Sequence, residues 1–414
     1  MNRGRALTRL PLISIRPMRV TVSLLIFLHA INLMPTSLGA VGFALVATVG
    51  LWRYNFAVSL AGISLAVFLS SYALASLYHG FFSLSAAVLF VILPLSMYFV
   101  GEYATLGKNR HSSVFHYGYL VVLSLAMYGL LSVGRTLLFE DIAAQLMGAR
   151  IVYAAWSGVR MNATNIGAYL TGAISLAGLL VLPQRNRLGI GIRALTVFLV
   201  VTSGMALLYL GNRTGAVIMV ASFLVLSAVY FGYSPGYKLE KLKAFALVTL
   251  TLLGVLFVLQ QNLLGLGEGL ADSTLSVRLM QQSVFEEVRF IAWGEALAGL
   301  TEHPLGGKEA NISLNYVHNL WLDVGYVAGI VPLLLLTLFS VLALKDCLRL
   351  IKDKNAPIAL KLLISGFYTS LFLNFAVEPV LEGVFVIFTM FCFMAGVLRK
   401  YVSSSRTRVY NEGA

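Results

Sequence analysis

Charge is what this chain has least of. Asp, Glu, Lys and Arg together make up 11% of its 414 residues, where an ordinary soluble domain carries about 25%. That stock cannot clothe a surface facing water. Cysteine is nearly missing as well: of the two, Cys347 follows Lys345 and Asp346 in a charged connector and Cys392 lies in an apolar run. Both read as free thiols, and a disulfide-framed fold is excluded. Metal-binding patterns are also lacking, with no Asp-x-Asp and no His-x-x-x-His anywhere. The expectation is chemistry with no metal and no cofactor. No internal repeat or low-complexity tract is present.

What is abundant is apolar length. Hydrophobic residues make up 59% of the chain, and the mean hydropathy is +0.86. A bilayer core takes roughly 20 apolar residues per helix. Apolar stretches between charged, Gly or Pro breaks fall near 20–34, 37–52, 56–77, 81–106, 113–133, 164–182, 188–210, 213–232, 243–262, 317–344, 357–377 and 380–398. The expected architecture is an all-α polytopic integral membrane protein of about 12 spanning helices. Residues 1–19 form a cytosolic tail, 20–262 carry the first nine helices, 263–316 an outer helical loop, 317–398 the last three helices, and 399–414 a second cytosolic tail. The basic start followed by an apolar run has the outline of a signal peptide, but a second apolar run follows at once, so it reads as an uncleaved first span.

An excess of 30 Lys and Arg over 17 Asp and Glu ordinarily prompts a search for nucleic acid. Here the excess is explained by topology. With the N-terminus cytosolic, 23 of the 30 basic residues fall in cytosolic segments, as positively charged loops do. Nucleic acid is therefore not an expected partner; membrane lipids are. The seven left outside are Arg135, Arg150, Arg160, Arg213, Arg278, Arg289 and Lys308. Orientation does not account for them.

Arg213 sits in Gly211-Asn212-Arg213-Thr214-Gly215, a tight break between two apolar helices. It reads either as an interfacial snorkelling side chain or as an anion site at a helix start. A helix is expected over Ser283–Leu300, stopped by Pro304, Gly306 and Gly307. Arg278 and Arg289 are eleven residues apart, about three turns, so one helix through both projects them from one face. Glu286 and Glu287 leave open a solvated, ion-paired face. Trp293, four residues beyond Arg289, is expected to lay its ring beside that guanidinium. His318, with Asn319, stands where the outer loop re-enters the membrane. A neutral imidazole there suits a general base, with amphipathic anchoring the alternative. His111 and His116 fall on the cytosolic side and His29 inside the first span, so only His79 and His303 share its face. Arginines with one His and no carboxylate cluster suit a diphosphate neutralised by guanidinium.

These residues resemble a known signature. Arg289-Phe290-Ile291-Ala292-Trp293, His303-Pro304-Leu305-Gly306-Gly307, His318-Asn319-Leu320-Trp321-Leu322 and Gly325 through Gly329 are similar, in order, to the signature region of the O-antigen ligase/polymerase superfamily. Arg213 is similar to that family's Ser-Arg element, with Asn212 in place of the Ser. Lys308 stands where a glycine is common in the family. The resemblance implies a GT-C type, inverting, metal-independent glycosyltransferase with its site on the periplasmic face of a bacterial inner membrane. The implied donor is a polysaccharide on undecaprenyl diphosphate and the implied acceptor the lipid A core oligosaccharide. Carried over, Arg213 and Arg289 bind the donor diphosphate with Arg278 assisting, His318 is the base, and Asn319, Trp293 and Lys308 give support. A single dominant outer loop and the lack of Gly eleven positions after any outer Arg favour ligase over repeat-unit polymerase. A lipid-linked saccharide flippase or secondary transporter is the alternative of a different class, although neither related halves nor broken helices are evident.

Overall fold

The structure is a computed structural model that describes residues 15–53, 58–106, 109–139, 151–180, 182, 189–233 and 288–412. Its helices are α1 (Ile15–Ala30), α2 (Thr36–Arg53), α3 (Leu60–Tyr78), α4 (Leu84–Ala104), α5 (Arg110–Phe139), α6 (Ala163–Ile174), α7 (Ile190–Tyr209), α8 (Arg213–Tyr233), α9 (Val288–Glu302), α10 (Leu320–Ala328), α11 (Ile330–Lys352), α12 (Ile358–Val377), α13 (Val380–Gly383) and α14 (Phe385–Glu412). Among the described residues, seven helices are long and apolar enough to cross a membrane. They are α3, α4, α5, α7, α11, α12 and, over Phe385–Ser404, α14. Met18–Ala30, Thr36–Trp52 and Val217–Tyr233 add three shorter apolar helices. The chain is thus an all-α polytopic membrane protein. The span expected over 243–262, the first part of the outer loop, and Arg278 lie outside the described residues.

Local signals explain several of the boundaries. Ser59 and Ser83 start α3 and α4, where their hydroxyls accept hydrogen bonds from Gly62 N at 3.1 Å and Ala86 N at 3.3 Å. Each satisfies one of the orphan N–H groups of a first turn. Before α6 comes an antiparallel ribbon of β1 (Ile151–Tyr153) and β2 (Arg160–Asn162), which pairs Ile151 with Asn162. Apolar run length carries no sign of so short a ribbon. Its turn is held by Arg135, which donates to Ala155 O at 3.0 Å, and by Trp156, whose indole donates to Ile31 O at 2.7 Å.

The expected tenth span and the placement of Cys347 are corrected, and the form of the C-terminal stretch and of the outer helix is seen in part. The unbroken tenth span over 317–344 is two helices, α10 and α11, separated at Gly329 with φ 87°. The cause is a backbone crossing: a Cβ on Gly329 would collide with Pro304 O, and one on Gly306 with the N–H groups of Ala328 and Gly329. Ile330 N, Gly307 N and Lys308 N donate to Pro304 O, Val327 O and Tyr326 O at 2.9, 3.0 and 3.0 Å. The Pro-Leu-Gly-Gly loop therefore lies directly on the break. The expected tail from 399 onward continues α14 as helix to Glu412, since no Gly or Pro interrupts it. The outer helix expected over Ser283–Leu300 is seen from Val288 to Glu302, with 283–287 outside the described residues. Cys347 sits buried within α11 and is not in a connector; Cys392 is buried too, and both are free thiols.

Small residues let the helices approach, as membrane bundles require. Gly101 of α4 lies against Phe393 O of α14, and Gly396 of α14 against Tyr98 O of α4. On α12, Gly366 lies against Ser175 O, while Asn374 and Ser370 donate to Thr171 of α6 at 2.8 and 3.0 Å. The connections gather at two ends of the bundle. At one, Lys308 lies beside Phe81 and Glu382, and Gly383 beside Asn165. At the other, the Tyr401 hydroxyl meets His111 at 3.1 Å and Asp353 at 2.8 Å, and Arg399 meets Asp346 at 3.6 Å. This is the grouping that alternating spans demand.

The backbone contact at Gly396 gives a direct test. Gly396→Val is expected to destabilise the purified protein by about 1–3 kcal/mol, seen as a lower unfolding midpoint. Gly204→Ala in α7, where an added Cβ meets nothing within 4 Å, is expected to leave the midpoint equal or higher.

Candidate functional site

The end of α12 collects the residues singled out above. A helix leaves its last carbonyls without intrahelical partners, and here side chains from two other segments take them. Asn319 Nδ2 donates to Ala376 O at 3.2 Å, and Arg289 Nη1 donates to Val377 O at 2.7 Å. The next residue, Glu378, has a side chain only 1% exposed, and its carboxylate lies 3.5 Å from the same guanidinium nitrogen. A cation at a helix C-terminus with a buried carboxylate beside it is doubly favoured. These contacts fix the start of α9 and the start of α10 to one point.

Asn319 also begins α10. Its Oδ1 accepts from Trp321 N and Leu322 N, both at 3.2 Å, the usual work of an N-cap. Asp323 in the first turn accepts from Val317 N at 2.8 Å and Asn319 N at 3.3 Å. Those two bonds bracket His318 and hold it at φ 57°, a left-handed conformation that a non-glycine residue adopts only under constraint. Such clamped, strained residues cluster at functional sites.

The electrostatics follow from this packing. Burial, with the Arg289 guanidinium nearby, lowers His318 from its ordinary 6.5 to about 4, so its imidazole is neutral at pH 7. His318 Nδ1 is buried without a hydrogen-bond partner among the described residues. Burial, with Glu382 adding to it, raises Asp323 to about 7 against the pull of its two backbone N–H donors. Lys308, at φ 58°, reaches Glu382 at 3.2 Å and lies over the rings of Phe81 at 5.1 Å and Tyr316 at 5.7 Å. It thereby ties the loop after α9 to α13. The His79 ring packs where a Cβ on Gly307 would be, and His303 pairs with Glu309 at 2.9 Å.

Of the residues picked from the sequence, Arg289, His318, Asn319 and Lys308 are drawn into this one cluster. Trp293 packs its ring edge-on against Phe290 at 5.1 Å. Arg213 is the first residue of α8, and its side chain lies outside the described residues, as does all of Arg278. Asn212 is 3% exposed, and its Oδ1 accepts from Gly215 N at 3.0 Å. It caps the helix that Arg213 opens and packs against Gly167. Glu378, Asp323 and Glu382 carry structure here that spacing did not assign to them. A signal for Glu378 exists, because an acid between two long apolar runs is costly unless it has a partner. No protein-family model matches the chain, and no curated protein matches it either. The resemblance therefore rests on the residues themselves.

Asn319 carries two jobs, and the cost of losing it is measurable. Asn319→Ala is expected to lower the unfolding free energy by about 1–2 kcal/mol through loss of the cap, read as a drop in midpoint. Asn319→Asp keeps the cap oxygen but loses the donor to Ala376 O, and is expected to fall between the two.

Proposed function

We propose that the chain is an inverting, metal-independent glycosyltransferase of a bacterial inner membrane. It moves O-antigen polysaccharide from undecaprenyl diphosphate to a sugar hydroxyl of the lipid A core and so completes lipopolysaccharide. The end of the bundle bearing His318 faces the periplasm and both termini face the cytosol, as the Lys/Arg distribution requires. The observation that carries this reading is the joining of Arg289 and a neutral, clamped His318 at the end of α12. It supplies a cation for a leaving diphosphate and a base for an incoming hydroxyl.

The acceptor oxygen attacks the anomeric carbon from the face opposite the diphosphate. A glycosidic C–O bond forms, and the bond from that carbon to the phosphate oxygen breaks with its electron pair. The hydroxyl proton passes to the His318 imidazole. Charge grows on the diphosphate, and Arg289, with Arg213 and Arg278, stabilises it without a proton. Arg289 is held in orientation by Val377 O and Glu378, so little reorganisation is needed as that charge develops. Trp293 and Lys308 shape the surround.

The transporter reading draws on the break between α10 and α11, because transporters interrupt helices at their substrate sites. That break lies beside the loop at Pro304, and the 23 residues of α11 span on their own. The interruption thus falls at the bundle end, away from mid-membrane, which favours transfer chemistry.

In a reconstituted assay, His318→Ala is expected to lose transfer by about 10²–10⁴-fold, the usual weight of a general base, with membrane insertion unchanged. Full transfer by this variant would remove His318 from the chemistry. The wild-type rate is expected to survive a chelator.

The pH dependence has a definite sign. Since the imidazole is held down to about 4, the base form persists from neutral pH to well below 6.5. Activity is therefore expected to stay flat on the acid side until pH approaches 4. Arg289→Gln removes one of the two causes, so its residual activity is expected to fall off at a higher pH than that of wild type.

A further inference from the structure

At the opposite end of the bundle, a groove of about 580 Å³ opens between α1, over 19–27, and the first two turns of α5. Arg19, Ser23, Ser112, Ser113, His116 and Tyr117 form its polar part, while Val20, Leu24 and Phe27 form an apolar wall. Ser23 and His116 are hydrogen-bonded to each other at 3.0 Å, which ties the two helices across the groove floor. Arg19 is the cation of the groove. Among the described residues its buried Nε has no hydrogen-bond partner and no carboxylate pairs with it. A guanidinium nitrogen withdrawn from water without an acceptor is costly, so the groove is built for an anion that brings one.

The wall says what kind of anion. Val20 and Leu24 are largely exposed on the outer flank of α1, along a helix that is apolar from Met18 to Ala30. A ligand with its charge on Arg19 would run an aliphatic part along that wall into the hydrocarbon. This end of the bundle is also its basic end, with Arg110 over the Tyr401 ring and Arg349 and Arg399 beside Asp346. Basic pockets between spanning helices at such a surface suit acidic headgroups.

We infer that the α1–α5 groove binds the phosphate headgroup of an anionic bilayer lipid, with Arg19 on the phosphate, the His116–Ser23 pair and the Ser112 and Ser113 hydroxyls around it, and one acyl chain along Val20, Leu24 and Phe27. The site lies across the bundle from His318 and is independent of the transfer chemistry.

The test is thermal unfolding of the full purified chain in detergent, titrated with phosphatidylglycerol, phosphatidylcholine or inorganic phosphate. Phosphatidylglycerol is expected to raise the midpoint by mass action on the folded state, and the other two at equal concentration are not. Arg19→Gln is expected to raise the half-maximal phosphatidylglycerol concentration about tenfold. His116→Ala should raise it in the same direction. Arg193→Gln, a basic residue at the same end bonded to Leu180 O, should leave it unchanged. An unchanged titration in both Arg19→Gln and His116→Ala overturns the proposal. So does an equal midpoint rise with phosphatidylcholine, which would mark a site for acyl chains alone, or with inorganic phosphate, which would mark a free-anion site.

Discussion

The last two carbonyls of α12 and the buried carboxylate that follows them are the constraint on which the outer end of this molecule depends. A helix end inside a low-dielectric bundle has unmet acceptors, and an acid there needs a cation. Arg289 meets both needs, through Val377 O and Glu378, and Asn319 meets the remaining one through Ala376 O. Two segments thirty residues apart in sequence are thereby brought to one spot. Once Asn319 is fixed, α10 starts there, Asp323 closes on the two backbone N–H groups around His318, and the imidazole is clamped beside the guanidinium.

The glycine-rich stretch has its meaning in the same frame. Gly306 and Gly329 let the loop after α9 cross the break before α11 backbone on backbone, and Lys308 then reaches Glu382 on α13. The chain that leaves α9 is thus pinned at both ends of its course, first at Pro304 and then at Lys308. On the proposed function such a fixed rim would serve to orient the donor, because orientation of the reacting groups is much of the barrier lowering available without covalent help.

Much of the fold was legible because membrane helices announce themselves by apolar length. Every described stretch read as a span contains helix, although the stretch at 164–182 holds a short α-helix followed by a 3-10 turn, Ser175–Leu179. What run length cannot carry is a break that leaves hydrophobicity unchanged. Gly329 interrupts an apolar run because of the passage of Pro304, 25 positions earlier in the chain, and the ribbon at 151–162 is too short for any period to mark it. In the site, Arg289, His318 and Asn319 were visible as polar residues with no topological purpose. The roles of the acids were harder to see: Glu378 and Glu382 act through Arg289 and Lys308, far away in the chain, and Asp323 acts on two nearby backbone N–H groups that no side-chain pattern marks.

A cluster built this way makes one claim above the others, that a new glycosidic bond is formed at this end of the bundle. The most direct measurement is the mass of lipid A core after incubation with the purified chain and undecaprenyl-diphosphate-linked polysaccharide in detergent, where no ion gradient exists. The account predicts that the lipid A core gains the mass of the transferred polysaccharide. An unchanged mass, together with gradient-dependent movement of the donor across reconstituted vesicles, would contradict it.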